Sequence, residues 1–268
     1  MLVPYKLGKE VEWIELNMLC TGQPLSKASL ITTSGQNEED VDDWLAELEF
    51  RIQAMGPAIA PYRITNGRGV STKTWADVPE YLLCVHYAYR GAADRTNGTK
   101  LFERISGFAI ERFLSGQHIA LGFPTGQSFN AQLDEIARVS WEPRHLQAPG
   151  KYKDDGVDVF AFKPFGDNRA ANIYILMQCA AGIHWRNKGR INLGRWTNYI
   201  QWYHEQIILS MATTDVVDKA EWNHQASEYG LLFDRLRIYR CLYSHGPVET
   251  GLRDDVLRWC KSHSVAAA

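Results

Sequence analysis

The chain has 268 residues, of which 45% are hydrophobic and 22% are charged, and its formal net charge is -2. These values are typical of a soluble globular protein and exclude a broadly basic surface, so any binding of nucleic acid needs a local cationic patch. The five cysteines are odd in number and form no CxxC pair, which argues against a disulfide framework and a structural zinc site. We find neither a basic leader followed by an apolar stretch nor an apolar run of membrane length, so we expect a cytoplasmic protein.

The first 96 residues indicate a helical region. The segment "NEEDVDDWLAELEFRIQAMG" predicts a helix that Asn37 caps and Gly56 ends, because its apolar residues follow helical spacing. A second helix is predicted over about 78–91. A third helix is predicted in "KLFERISGFAIERFLSG" over about 99–115, at the start of the segment that follows residue 96, and Gly116 ends it.

Two β-rich runs follow a further helix predicted over 129–139. The runs are "GVDVFAF" and "NIYILMQCA", and the turn-forming "KPFGDNRAA" separates them, so we predict a β-hairpin. The chain beyond this hairpin has a helical or mixed pattern. Within it, "LLFDRLRIYR" predicts a helix whose charges form buried ion pairs or a stripe that contacts phosphates, and we favour a structural role.

Each run contains one polar residue where valine or isoleucine would suit a buried strand. Asp158 lies in the first run and Gln178 in the second, twenty residues later. If the runs pair, the alternation of side chains lets both residues lie side by side on one surface. A buried polar pair is costly unless a ligand, a metal or the pair itself satisfies it. Taken singly, each residue also fits a strand end at the surface.

These residues resemble the core of the PD-(D/E)XK nucleases, in which an Asp on one strand is followed on the next by Glu or Gln, any residue, and Lys. Glu103, on the helix upstream, resembles the acidic residue that often joins them. The resemblance covers about residues 99–196. It implies an α/β, restriction-endonuclease-like core over 97–268, with a central mixed sheet flanked by helices and a C-terminal helical extension. A helical N-terminal region would occupy 1–96.

The resemblance also implies a metal-dependent chemistry. A divalent cation activates water and neutralises the phosphate, and Mg²⁺ prefers oxygen ligands. We therefore expect Mg²⁺ or Mn²⁺ bound by Asp158, by the side-chain oxygen of Gln178 and by the backbone carbonyl of Cys179, with Glu103 assisting. The Cys179 side chain points away from the Gln178 face, which favours packing over nucleophilic catalysis.

The sequence departs from the family pattern at the lysine, because position 180 is an alanine. A lysine there would orient the nucleophile and stabilise the phosphate. We expect Lys188 to be the stand-in, since strand alternation points Lys163 away from Asp158. Ala180 also favours an alternative, a catalytically inactive scaffold or interaction subunit with the same fold. A different α+β binding protein would follow if Asp158 and Gln178 lay far apart.

Cations and tryptophans are interleaved in "HWRNKGRINLGRW". Cations neutralise phosphates and indoles stack on bases, so we predict nucleic-acid contacts from Arg186, Lys188, Arg190, Arg195 and Trp185. The pattern fits equally well a solvated basic loop whose tryptophans lie in the core.

Together with the family resemblance, these features predict a metal-dependent nuclease, and DNA is favoured over RNA as its substrate. The family resemblance implies a bacterial antiviral-defence or DNA-processing complex. The near-neutral charge predicts weak affinity for DNA, so we expect a protein partner or a homo-oligomer to supply binding or activation.

Overall fold

The computed structural model describes residues 4–92, 96–121, 126–150, 154–246 and 248–265. Its helices are α1 (Pro4–Thr21), α2 (Lys27–Ser34), α3 (Glu38–Met55), α4 (Pro79–Arg90), α5 (Gly98–Leu114), α6 (Phe129–Ser140), α7 (Leu193–Tyr199), α8 (Lys219–Tyr229), α9 (Arg235–Tyr243) and α10 (Thr250–His263). Its strands are β1 (Leu25–Ser26), β2 (Tyr62–Thr65), β3 (Arg68–Ser71), β4 (Gln117–Ala120), β5 (Val159–Lys163), β6 (Ile173–Ala180), β7 (Ile208–Thr213) and β8 (Leu231–Phe233). A 3₁₀ turn, Trp185–Asn187, lies between β6 and α7. Across these described ranges, no helix is long and apolar enough to cross a bilayer.

The helices predicted upstream of the hairpin are confirmed. α3 begins after Asn37, whose side chain accepts a hydrogen bond from the Asp40 N–H at 2.9 Å, and it ends before Gly56. Acidic residues fill its first turn, where the helix dipole favours negative charge. α4, α5 and α6 lie within one or two residues of their predicted bounds.

The main sheet has five strands in the order β4-β5-β6-β7-β8. β4, β5 and β6 are antiparallel neighbours, whereas β7 runs parallel to β6 and β8 runs parallel to β7. The predicted hairpin is confirmed as β5 and β6, with Val159 opposite Met177. The sheet is therefore mixed, as expected for the predicted α/β class.

Helices cover both faces of this sheet. Val159 and Ile175 share a core with α5, whereas Phe160 and Tyr174, one position along each strand, pack with residues of α6 and α7. Strand alternation thus supplies two apolar faces. This explains why the two runs lack the polar alternation of a half-exposed strand.

The N-terminal region is helical, and it also contains a small antiparallel sheet with the order β1-β3-β2. Its helices share one hydrophobic core with the main sheet, because Val11 of α1 and Leu48 of α3 belong to the same buried cluster as Val159 and Trp259. The segments on either side of residue 96 therefore pack against each other.

Three strands of the main sheet lie outside the sequence prediction. β4 and β8 are short, and β7 lies at the end of the segment "TNYIQWYHEQIILSMA", which has a helical or mixed pattern. β7 and β8 are held by parallel pairing with strands that are distant in sequence. Such pairing is a tertiary effect that overrides local propensity.

Candidate active site

A pocket of about 280 Å³ opens where α5, the start of β5 and the end of β6 meet. Its walls come from α5, from Asp158 and from the chain between the end of β6 and the 3₁₀ turn. The lining residues are Thr99, Phe102, Glu103, Asp158, Cys179, Ala180, Ala181, Gly182, His184, Trp185 and Lys188. The pocket therefore gathers three of the four predicted catalytic residues, Glu103, Asp158 and Lys188, together with Cys179 and Trp185.

Asp158 is fixed in this pocket by its own backbone and side chain. Its N–H donates to the Met177 carbonyl at 2.9 Å, and its carbonyl accepts from the Leu121 N–H at 2.8 Å. Its carboxylate accepts a hydrogen bond from the Cys179 N–H at 2.7 Å. Burial raises the pKa of this carboxyl, while the Cys179 N–H and the Lys188 ammonium act in the opposite direction.

Glu103 approaches the same pocket from α5. Its two carboxylate oxygens lie 2.9 and 3.0 Å from Nζ of Lys100, one helical turn earlier. Burial raises the pKa of Glu103, and the negative charge of Asp158 raises it further. Two carboxyl groups therefore lie close enough to disfavour each other's ionisation, an arrangement that a cation would stabilise.

Lys188 reaches the pocket from the end of the 3₁₀ turn. Its Nζ lies 3.3 Å from the backbone carbonyl oxygen of Cys179. The 3₁₀ turn is held to the chain after β7, because the indole N–H of Trp185 donates a hydrogen bond to Asp215 at 2.7 Å. The Tyr229 hydroxyl lies 3.0 Å from the Lys188 carbonyl, so the backbone is held while the side chain extends into the pocket.

Gln178 lies beside this group rather than within it. The β5–β6 register, continued by one residue, sets it opposite Asp158. Its side chain shares a strand face with Tyr174 and Leu176, away from α5, and it does not belong to the described lining of the pocket. Its Oε1 is buried without a hydrogen-bond partner among the described residues. Asp158 precedes the first residue of β5, so strand alternation does not fix the direction of its side chain. Its carboxylate accepts the hydrogen bond from the Cys179 N–H and lines the pocket.

The Cys179 side chain packs on the α5 side of the sheet, in the hydrophobic core. Burial raises the pKa of its thiol well above the usual value, and the charges of Asp158 and Glu103 add to that effect. A thiol held neutral in this way is a poor nucleophile. Only the backbone carbonyl of Cys179 is a candidate ligand.

The basic segment after β6 is largely engaged within the protein. Arg186 pairs with Glu221 at 2.8 Å, Arg190 pairs with Glu228 at 2.5 Å, and Arg195 pairs with Asp155 at 2.7 Å. These partners compete with phosphate for the three guanidinium groups.

The structure corrects the expectation that Trp185 stacks on a base. Trp185 is 1% exposed and its ring is covered by the Arg186 guanidinium, 4.5 Å from the ring centroid. Trp196 is also fully buried. The interpretation that the tryptophans of this segment belong to the core is confirmed.

Two charged residues near the pocket lie outside the sequence prediction. Lys100 is the direct partner of Glu103, and its position three residues earlier on a predicted helix was the available signal. Asp154 adds negative charge that acts on both Glu103 and Asp158. It precedes the hairpin in a turn, where its side chain accepts a hydrogen bond from the Gly156 N–H at 2.9 Å.

The oxygen donors of the pocket fit a hard divalent cation. They are the carboxylates of Asp158 and Glu103 and the carbonyl of Cys179, and Mg²⁺ and Mn²⁺ prefer such ligands over sulfur. Within the described parts of the chain, no group of three or more His, Cys, Asp or Glu side chains is arranged to hold a metal. A metal here would therefore depend on the backbone carbonyl as well as on the two carboxylates.

Comparisons with known proteins give little beyond this geometry. No protein-family model matches the chain, and no curated protein matches it. A solved structure, that of the MspJI restriction endonuclease in complex with a 27-mer oligonucleotide, is similar over 74% of this chain, with 13% sequence identity and a TM-score of 0.33. The chain spans 38% of the length of that structure's chain.

Proposed function

We propose that this protein is a metal-dependent nuclease with a restriction-endonuclease-like core, and that its substrate is DNA. One observation carries the proposal: Asp158, Glu103, the Cys179 carbonyl and Lys188 line one small pocket at the end of the β5–β6 hairpin. Two carboxylates with raised pKa values beside a lysine in an open pocket are an arrangement that functional sites use.

Asp158, Glu103 and the Cys179 carbonyl would hold Mg²⁺ or Mn²⁺. When bound, the ion supplies a more acidic water and neutralises charge on the phosphate. Gln178 would join these ligands as a further oxygen donor only if its side chain turned toward the pocket, because it lies on the opposite strand face. Its buried Oε1 has no partner among the described residues.

Lys188 provides the positive charge that Ala180 lacks. Its ammonium is available to a phosphate oxygen at the mouth of the pocket, where it stabilises the charge that develops as the phosphodiester is attacked. Lys100 has a different role, because it holds both oxygens of Glu103 and so positions that carboxylate.

The distribution of charge supports a requirement for a partner. The net charge is -2, and three arginines of the basic segment already pair with acidic side chains. Affinity for DNA depends on cations that can release phosphate counterions. We therefore expect a second protein or a second copy of this chain to supply most of the DNA affinity.

Cleavage of supercoiled plasmid with Mg²⁺ or Mn²⁺ tests the proposal. We expect cleavage that EDTA abolishes, a loss of at least about 100-fold with Asp158→Ala, and a similar loss with Lys188→Ala. Asp167→Ala is the matched control, since Asp167 pairs with Arg169 in the hairpin turn at the other end of β5. Its cleavage should equal that of the native protein.

The alternative is an inactive scaffold with the same fold, which Ala180 favours. It predicts neither cleavage nor binding of Mn²⁺ that depends on Asp158. If the native protein binds Mn²⁺ and Asp158→Ala does not, yet neither cleaves DNA, the assay is repeated with the native complex. Absence of cleavage there would reject the nuclease.

A further inference from the structure

Lys188 and a bound metal would use the same oxygen atom. Nζ of Lys188 lies 3.3 Å from the Cys179 carbonyl oxygen. Mg²⁺ binds its oxygen ligands at about 2.1 Å, so an ion on this carbonyl would lie at most about 5.4 Å from the ammonium. Two cations at that separation in a partly buried pocket repel each other strongly.

The side chain of Lys188 can move away from a bound ion, whereas its backbone is held in place. The backbone around it is fixed by the buried Trp185 indole, which bonds Asp215, and by the Tyr229 hydroxyl, 2.9 Å from the Arg186 carbonyl and 3.0 Å from the Lys188 carbonyl. The Lys188 residue itself is exposed. Rotation about its side-chain bonds therefore moves the ammonium without disturbing the turn.

We propose that Lys188 covers the Cys179 carbonyl until a divalent cation displaces it, and that displacement delivers the ammonium to the substrate phosphate. This inference rests on the proposed nuclease function. It makes Lys188 both a competitor of the metal and a cation of the loaded site. Metal binding and the positioning of the lysine are then one coupled event.

The coupling predicts effects of opposite sign in one variant. Lys188→Met removes the competitor, so Mn²⁺ should bind about tenfold more tightly, while DNA cleavage falls by at least about 100-fold. A lysine with a purely structural role would not strengthen metal binding when removed. A lysine that repels the ion without moving would also strengthen Mn²⁺ binding when removed, but its reactivity would not change when a metal is added, which the second measurement below tests.

Lys163 provides a matched control. Its Nζ also donates to a backbone carbonyl, that of Ser115, but at the far end of β5 from Asp158. Lys163→Met therefore removes an equivalent lysine–carbonyl contact away from the pocket. We expect this variant to keep the native Mn²⁺ affinity and the native rate of cleavage.

The experiment is a calorimetric Mn²⁺ titration of the full chain without DNA, for the native protein, Lys188→Met and Lys163→Met, with unfolding temperatures as a check on folding. Tighter binding by Lys188→Met alone supports the proposal. Unchanged or weaker binding by folded Lys188→Met overturns it and leaves the nuclease proposal standing if the native protein cleaves DNA. Failure of all three proteins to bind Mn²⁺ overturns the metal site itself, and the lysine proposal with it.

A second measurement follows the lysine directly. Reaction of Lys188 with an amine-acetylating reagent, quantified by peptide mass spectrometry, should increase when Mg²⁺ is added, because the ammonium leaves its carbonyl partner. Modification of Lys163 should not change. A decrease at Lys188 on addition of Mg²⁺ would contradict displacement.

Discussion

Two groups of buried carboxylates in this protein differ in how they are paired with cations. In the first, Glu12 and Glu15 of α1 lie between Arg51 of α3 and Arg235 of α9, with four carboxylate–guanidinium contacts of 2.6 to 3.0 Å. Tyr81 also donates to Glu15, at 2.6 Å. Burial alone would raise the pKa of Glu15, but Arg235 and Arg51 outweigh it and lower that pKa. At Glu12 burial prevails over the same two arginines, and its pKa is raised.

The second group is the pocket of Glu103 and Asp158. Here burial prevails and the pKa values of both carboxyls are raised, with Asp158 adding to the effect at Glu103 and Asp154 adding to it at both. The first group is neutralised within the protein and stabilises the contact between the N-terminal helices and α9. The second remains only partly compensated, as expected of a site that a ligand completes.

The largest effect should come from breaking the first group. Arg235→Met leaves two buried glutamates with a single arginine, so we expect the free energy of unfolding to fall by about 3–5 kcal/mol. Urea denaturation measures this. Arg240→Met, an exposed position on the same helix, should change stability by less than about 0.5 kcal/mol. Equal losses in the two variants would contradict the account of the ion-pair group.

The next prediction restores the missing lysine. Ala180 borders the pocket, but its side chain shares a strand face with Gln178 and packs with Trp185 and Met211. A lysine there therefore has to displace part of this packing to bring its ammonium to the two carboxylates. We expect Ala180→Lys combined with Lys188→Met to cleave DNA about tenfold faster than Lys188→Met alone. A folded double variant with no recovery would show that the pocket does not use a cation from either position.

How far the sequence predicts this arrangement depends on the type of contact. The hairpin and the helix with Glu103 follow from local periodicity, and the resemblance to a nuclease core identified Asp158 and Lys188. The burial of Trp185 and the pairing of Arg186 with Glu221 depend on α8, 35 residues downstream of Arg186. A local pattern of cations and aromatic residues carries no information about a contact with a distant helix. It therefore could not show whether this segment binds nucleic acid or packs against the protein.

Removing a charge from the second group should stabilise the protein slightly, whereas removing one from the first group destabilises it. The pKa of Glu103 is raised above its unfolded value, so the folded state binds its proton more tightly. The contribution of Glu103 to stability is therefore largest at low pH and is lost as the pH rises through the raised pKa. At neutral pH we expect Glu103→Gln to raise the unfolding temperature by about 2 °C while reducing cleavage. A lower unfolding temperature would show that the pair with Lys100 outweighs burial.

The smallest effect concerns the pH dependence of cleavage. Because burial raises the pKa values of Asp158 and Glu103, protons compete with the metal at a higher pH than at ordinary carboxylates. Cleavage should therefore begin to decline on acidification at a higher pH than ordinary carboxylates would set. Lys188 lowers the pKa of Asp158, so Lys188→Met should move the midpoint of this decline to higher pH. Rate profiles of both proteins at saturating Mn²⁺ measure the shift, and a midpoint that moves to lower pH would contradict it.

The most direct test of the central claim is an anomalous diffraction map from crystals of this protein soaked in Mn²⁺ at a concentration that supports cleavage. We predict an ion about 2 Å from a carboxylate oxygen of Asp158 and from the Cys179 carbonyl oxygen, with Glu103 on its other side. An ordered ion elsewhere, with none in this pocket, would contradict the assignment of Asp158, Glu103 and Cys179 as the catalytic metal site.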